Sequence, residues 1–181
     1  MRIIAGEWRG RRLIVPEGIA TRPTSDRARE GLFSMLVSRI GTFQGLQVAD
    51  LFAGSGALGL EALSRGAAHC LFIDKERAAI ETIRANVVAL SAGARADIRQ
   101  QAVEYAMAPP QPCDLIFLDP PYGSGLAEAA LAVIANKEWL RTGALVSVES
   151  EGETLAIPDG LEGEVDRRFG RTHVHLLRWR A

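Results

Sequence analysis

Two short stretches hold residue types that could do chemistry together. The first is "DLFAGSGALG", Asp50 to Gly59, in which Gly54-x-Gly56-x-x-Gly59 follows an apolar run directly. Glycine lets a backbone turn sharply and lets a ligand approach the chain closely. An acid, Asp74, closes the next apolar run, the place where a nucleoside-binding unit keeps a carboxylate for ribose hydroxyls. The second stretch is "FLDPPYG", Phe117 to Gly123. Proline cannot continue a central strand, so the apolar run must stop there and leave Asp119-Pro120-Pro121-Tyr122 as a rigid turn. The Asp119 carboxylate and the Pro120 carbonyl are acceptors with no proline N–H competing. Tyr122 offers a ring on which a base can stack.

An exocyclic amino nitrogen is a poor nucleophile because its lone pair is conjugated with the ring. Two acceptors that draw on its protons tilt it toward tetrahedral geometry and aim the lone pair at an electrophile. Positioning does most of that work, with no metal and no covalent enzyme intermediate. The electrophile is suggested by Asp50, four residues before Gly54. A carboxylate at that turn would repel the pyrophosphate of NAD but attract an ammonium group. S-adenosylmethionine carries an ammonium and a sulfonium, so Asp50 favours it over NAD. An NAD oxidoreductase is further disfavoured by the lack of an obvious His or Tyr-Lys proton relay. Taken singly, the glycine run could be a tight turn with Asp74 as a helix cap, and the Pro-Pro step a packed corner. Together they point to an amino-methyltransferase.

These residues need a scaffold, and the chain supplies alternating strands and helices. Strands are predicted over 47–53, 69–74, 94–100, 112–119 and 143–150. Helices are predicted over 58–66, 76–90 and 125–140, the second with Ala79, Ile80, Ile83, Val87 and Leu90 on one face. Alternation of this kind means a mostly parallel sheet covered on both faces. The last part, "GEVDRRFG" and "RTHVHLLRWR", reads as two strands turning at Gly170-Arg171, an antiparallel hairpin. The expected fold is therefore α/β, a Rossmann-like methyltransferase sheet with a C-terminal antiparallel hairpin. The front end reads separately. "RIIAGEWRGRRLIVP" suggests a small hairpin turning at Gly10, and "RPTSDRAREGLFSMLVSRIG" a helix with Ala28, Leu32, Met35, Leu36 and Ile40 in a stripe, stopping at Gly41. Residues 1–41 are thus expected to form an extension and 42–181 the methyltransferase domain.

Composition narrows the partners. No apolar run reaches the ~18–20 residues of a membrane span, and "MRIIAGEWRGRR" is too polar for a signal-peptide core. Cys70 and Cys113 are far apart and read as buried hydrophobes. A cytoplasmic protein is expected. The net charge of −1 hides clusters of arginine near the N-terminus and at Arg167, Arg168, Arg171, Arg178 and Arg180, while Lys75 and Lys137 are the only lysines. Arginine forks suit phosphate, although a solvated surface would carry the same residues. Trp8 could stack on RNA, whereas Trp139 and Trp179 read as packing residues. Glu149 and Glu151 read as a solvated strand edge. His173 and His175 share one strand face, but no third ligand is evident beside them, so no metal is expected.

The chain resembles the bacterial 16S ribosomal RNA guanine-N2 methyltransferase family (RsmD). The resemblance runs through "RIIAGEWRGRRL", "RPTSDRAREGLF", "DLFAGSGALGLEALSRGA", Asp74, "FLDPPY" and "VSVESE". The glycine loop and DPPY are shared by many amino-methyltransferases; the N-terminal segments select this family. The resemblance implies S-adenosylmethionine as donor and one guanine of 16S rRNA, in a small ribosomal subunit assembly, as acceptor for a monomeric enzyme. Asp50 and the loop Phe52, Ala53, Gly54, Ser55 and Gly56 would hold the methionine end. Asp74, followed by Lys75, would take the ribose hydroxyls, and Gln101-Ala102 the adenine edge. Many members have Asp or Asn where this chain has Gln101, a longer arm. Asp119, Pro120, Pro121 and Tyr122 would hold the guanine. Arg22 and Thr24 would lie at the mouth, and Arg2, Arg9, Arg11 and Arg12 would grip RNA phosphates. DNA adenine or protein glutamine methylation, or a non-catalytic RNA-binding module, are the alternatives.

Overall fold

A computed structural model describes residues 1–16, 26–135, 138–152, 154–170 and 172–181. The order along the chain is α1 (Asp26–Ile40), β1 (Gln47–Leu51), α2 (Ala57–Ser64), β2 (His69–Asp74), α3 (Arg77–Ala89), β3 (Ala96–Gln100), β4 (Cys113–Leu118), α4 (Leu126–Ile134), β5 (Leu140–Ser150), β6 (Leu161–Phe169) and β7 (Thr172–Trp179). One seven-stranded sheet runs β3-β2-β1-β4-β5-β7-β6. The first five strands are parallel, and β7 pairs antiparallel with both β5 and β6. Among the described residues no helix is long and apolar enough to cross a membrane.

The central strands are apolar on both faces because both are covered. On one face Phe33 and Leu36 of α1, Leu60 and Leu63 of α2 and Ile83 of α3 pack on Phe72 and Phe117. On the other, Ala130, Leu131 and Ile134 of α4 pack on Ile116, Leu118 and Val148. Trp139 and Trp179 belong to that second core, and Cys70 and Cys113 are free and buried. After β1 the chain turns to β2 and β3 on one side, and after β4 to β5 on the other. The loops leaving β1 and β4 therefore diverge, and the crevice between them is where open α/β sheets bind ligands.

Two expectations need correction. The helix expected over 125–140 stops at Ile134, and β5 starts at Leu140. Trp139 and Leu140 extended the apolar pattern because both are buried, but they lie on the approach to the strand. The expected N-terminal hairpin forms as a short antiparallel element: Arg2 bridges Arg12, and the N–H groups of Ile3, Gly10 and Leu13 donate to the carbonyls of Arg11 (2.9 Å), Ile3 (2.9 Å) and Met1 (3.2 Å). The hairpin is also docked on α2: Glu61, fully buried, takes the N–H groups of Ile4 (2.7 Å) and Ala5 (3.0 Å). Ser64 then takes those of Glu7 and Trp8. The hairpin is sewn to α2 as well as to itself, and Ile3 and Leu13 join the first core. Finally, Glu149 is 2% exposed on β5, not a solvated edge residue.

The front helix α1 begins at Asp26 and stops at Gly41, which has φ 80°. Its buried face includes Arg29, whose guanidinium donates to the Arg2 carbonyl and to Asp26 (2.9 Å). Burial pulls the Arg29 pKa down, opposed by Asp26 and Glu61.

Candidate active site

Both chemical stretches sit at the carboxyl ends of β1 and β4, which are neighbours in the sheet. The glycine loop leaves β1 through Phe52, whose φ of 62° is a left-handed backbone that a bulky residue adopts only at a cost of ~1–3 kcal/mol. Gly54 and Gly56 follow at φ 56° and 76°. A Cβ on Gly54 would meet nothing within 4 Å, so the loop presents bare backbone to open space. Gly59 serves packing instead: a Cβ there would lie 2.4 Å from Phe72 and 2.6 Å from Cys70 Sγ. Only a bare α-carbon lets α2 sit that close to β2.

Three acids surround this loop. Asp74 at the end of β2 accepts the Gly54 N–H with one oxygen (2.8 Å) and the Glu76 N–H with the other (2.9 Å). It therefore braces the glycine loop and caps the start of α3. A carboxylate has about four acceptor sites, so two such bonds leave capacity for hydroxyls. Asp50 is 2% exposed and accepts the Gly59 N–H (2.9 Å). Burial pushes its pKa well up; the Gly59 bond opposes this, and the charges of Asp119 and Asp74 add to it. Asp119 is half-buried just beyond β4, and burial pushes its carboxyl up to about 6. Crowded carboxylates of this kind are stabilised by a cation among them.

The loop is also held from behind by a residue the sequence did not advertise. Asn86, in the apolar stripe of α3 and 1% exposed, donates to the carbonyls of Ser55 (2.9 Å) and Ile14 (3.0 Å) and accepts from Ile14 N–H (2.8 Å). A polar residue on a buried helix face was the available signal. Met1 reaches the same loop, its sulfur 3.6 Å from Ser55 Oγ.

The DPPY turn is rigid at both ends. The Asp119 N–H faces the Leu51 carbonyl (3.5 Å), while Ser124 Oγ donates to the Pro121 carbonyl (2.5 Å). A small cleft beside it is lined by Pro120, Pro121, Tyr122, Ser124, Glu128 and Glu149. Tyr122 is 43% exposed at the rim. Burial raises its phenol pKa, a bond to the Thr172 side chain opposes this, and Asp119, Glu149 and Glu151 raise it further. Glu149 is thus a buried acid beside the turn, legible only once β5 is placed next to β4.

Gln101 and Ala102, expected at the adenine edge, follow β3, and the Gln101 N–H donates to the Asp74 carbonyl (3.0 Å). Gln101 Nε2 is buried without a hydrogen-bond partner. A buried orphan donor beside an open glycine cradle and a ring of acids fits a nucleoside with a cationic tail. Lys75 is exposed next to Asp74, and its carbonyl lies 3.4 Å from the Gln100 amide.

The expected RNA-facing residues separate. Arg9 and Arg12 are exposed. Arg11 donates to the Ala89 carbonyl (2.6 Å), and Arg2 pairs with Asp26 (3.4 Å). Trp8 has one face under the Arg95 guanidinium (4.8 Å), and Arg95 pairs with Glu7. Arg22 and Thr24 lie outside the described residues. The histidine expectation changes: Asp166 of β6 is the third group, and its carboxylate and both imidazoles lie within 4.8 Å of one another.

Comparison with known proteins finds clear relatives over most of the chain. The family model described as conserved hypothetical protein 95 matches residues 1–178. The chain is 43% identical over 153 residues to ribosomal RNA small subunit methyltransferase D of Escherichia coli K12, covering 84% of this chain and 76% of that one. It is 39% identical over 155 residues to the protein of that name from Haemophilus influenzae, covering 83% and 79%. The solved yhhF structure from Escherichia coli superposes with TM-score 0.87 at 37% identity, covering 100% of this chain and 98% of that one.

Proposed function

We infer the reaction from one fixed premise: the chain belongs to the conserved hypothetical protein 95 family. It is an S-adenosylmethionine-dependent methyltransferase that acts on small-subunit ribosomal RNA, the substrate named for its relatives. Within that class, the acceptor is the exocyclic N2 amino group of a guanine. The observation that carries amino-group methylation is the adjacency of two loops, the glycine cradle after β1 and the DPPY turn after β4, which open onto one crevice; the choice of guanine rests on the family resemblance of the N-terminal segments.

The cradle formed by Phe52 to Gly56 would hold the methionine end of the donor, with Asp50 beneath it. Asp74 would accept from the ribose hydroxyls and Gln101 would meet the adenine edge. Bound there, the donor supplies an electrophilic methyl group on a sulfonium. The chain's own part is orientation. The Asp119 carboxylate and the Pro120 carbonyl accept hydrogen bonds from the two amino N–H groups, and Tyr122 stacks on the base. The lone pair is thereby released from the ring and aimed across the crevice. Loss of a proton from the methylated amine follows readily, since Asp119 has a pKa raised to about 6 and can accept it.

The exposed Arg9 and Arg12 supply phosphate contacts, because one amino group and one ring cannot select a single guanine. RNA selection leans on shape and unpaired bases, and phosphate contacts fix the register. The reading implies a cytoplasmic monomer acting on a small-subunit assembly.

The test is transfer of labelled methyl to free 16S rRNA, to assembled small subunits, to DNA and to protein, followed by mapping of the modified base. N2-methylguanine at one position is the expected product. Label in DNA adenine or protein glutamine would overturn the guanine assignment.

A further inference from the structure

Away from the crevice, the hairpin of β6 and β7 holds a constellation the methyl-transfer reading does not use. His173 and His175 lie on one face of β7. Asp166 stands opposite His175 across the antiparallel ladder, and Arg168 opposite His173. Asp166 Oδ1 is 3.6 Å from His173 Nδ1, and Oδ2 is 3.4 Å from His175 Nδ1. Those separations are long for hydrogen bonds, which bring N and O to ~2.7–3.2 Å. One ligand atom of each residue lies within 4.8 Å of the others, so a modest turn of the exposed carboxylate brings the three toward the ~3.3–3.4 Å spacing set by an ion with bonds of ~2.0–2.1 Å. The two rings are tilted and not stacked, with centroids 6.2 Å apart.

The orientation of His175 is fixed from behind. Its Nε2 lies 2.9 Å from Ser150 Oγ, and that oxygen also accepts the Gly152 N–H (3.2 Å). Ser150 is 2% exposed at the end of β5. In the Nε2–H tautomer the serine oxygen accepts the Nε2 proton on its second lone pair. The His175 Nδ1 lone pair is then turned toward Asp166. A ligating imidazole whose second nitrogen is anchored by an outer partner is the usual arrangement in metal sites.

We propose that Asp166, His173 and His175 form a binding site for a divalent transition ion of the zinc, cobalt or nickel type. Two imidazoles and one carboxylate suit such ions and not magnesium or calcium, which want oxygen. Asp166 is 64% exposed, so solvent completes the coordination. The ion would bolt β6 to β7 beside their turn. Thr172, which follows that turn, is the residue bonded to Tyr122, so the ion would stiffen the strand that carries a partner of the active-site rim.

The test is titration of the full-length, tag-free protein with Zn²⁺ by calorimetry and with Co²⁺ by visible absorption. One equivalent should bind, with cobalt d–d bands and a rise in Tm, and Mg²⁺ should not compete. Asp166→Asn, at an exposed position, and His173→Ala should each abolish the cobalt bands. Ser150→Ala should weaken binding ~10- to 100-fold, the scale for an outer partner. His69→Ala, the remaining histidine, should bind as the unaltered protein does. No cobalt spectrum in folded protein, or the same isotherm in Asp166→Asn as in the unaltered protein, would overturn the site.

Discussion

Replacing Asp119 by Ala should separate the two halves of the crevice, because the proposed roles put the acid on the acceptor side and not on the donor side. Asp119 follows β4, whereas the donor cradle follows β1. Its negative charge contributes to the raised pKa of Asp50, so removing it leaves Asp50 easier to ionise and donor affinity intact. The amino group loses one of its two acceptors. Loss of a single positioned partner in a water-poor site costs ~10² in rate or more, about 2.7 kcal/mol. Single-turnover methylation with saturating donor measures this, and calorimetry measures donor affinity separately.

The pH profile provides a second signature. Burial raises the Asp119 carboxyl to about 6, so it is ionised above that pH and protonated below it. Transfer needs the ionised form. At pH 5 about one-tenth of the protein has it, and the rate should fall ~10-fold relative to the plateau. The Ala variant, already slow, should lack that step. Transfer in the variant within threefold of the unaltered protein would refute the assignment. So would a parallel loss of donor affinity, which would move Asp119 to the donor side.

Asp74→Ala should weaken S-adenosylmethionine binding by ~1–3 kcal/mol, read by calorimetry. It should also lower Tm, since the Gly54 and Glu76 N–H groups lose their acceptor. Arg9→Ala with Arg12→Ala should leave Tm and donor affinity unchanged while flattening the salt dependence of RNA binding by roughly one unit of slope per lost phosphate contact; an unchanged slope would direct attention to the C-terminal arginines. Glu61→Ala should cost ~3–5 kcal/mol in chemical denaturation, because Arg65 and two backbone N–H groups lose a fully buried partner. A loss below ~1 kcal/mol would mean the N-terminal segment is held mainly by Ile3 and Leu13.

The sequence by itself determined the parts whose physics is local. The strand 69–74 was legible to the residue, because a short apolar run between a turn and an acid has few other solutions. The glycine spacing, Asp74 and the DPPY turn were legible for a similar reason: glycine and proline restrict the backbone wherever they stand. Even the C-terminal hairpin followed from two strands with too short a connection for a crossover. What the tertiary structure decided depends on partners distant in sequence. Glu61 reads as a surface helix residue until the N-terminal segment lays two N–H groups on it, 57 and 56 positions away. Glu149 reads as a strand-edge acid until the DPPY turn covers it. The stripe of α1 omitted Arg29 because a buried guanidinium is intelligible only with Asp26 and the Arg2 carbonyl in place. His173 and His175 show a shared face in sequence, but Asp166 reaches them only through the β6–β7 register. Burial and charge pairing are properties of assembled surfaces, so no local pattern could reveal them before the sheet was closed.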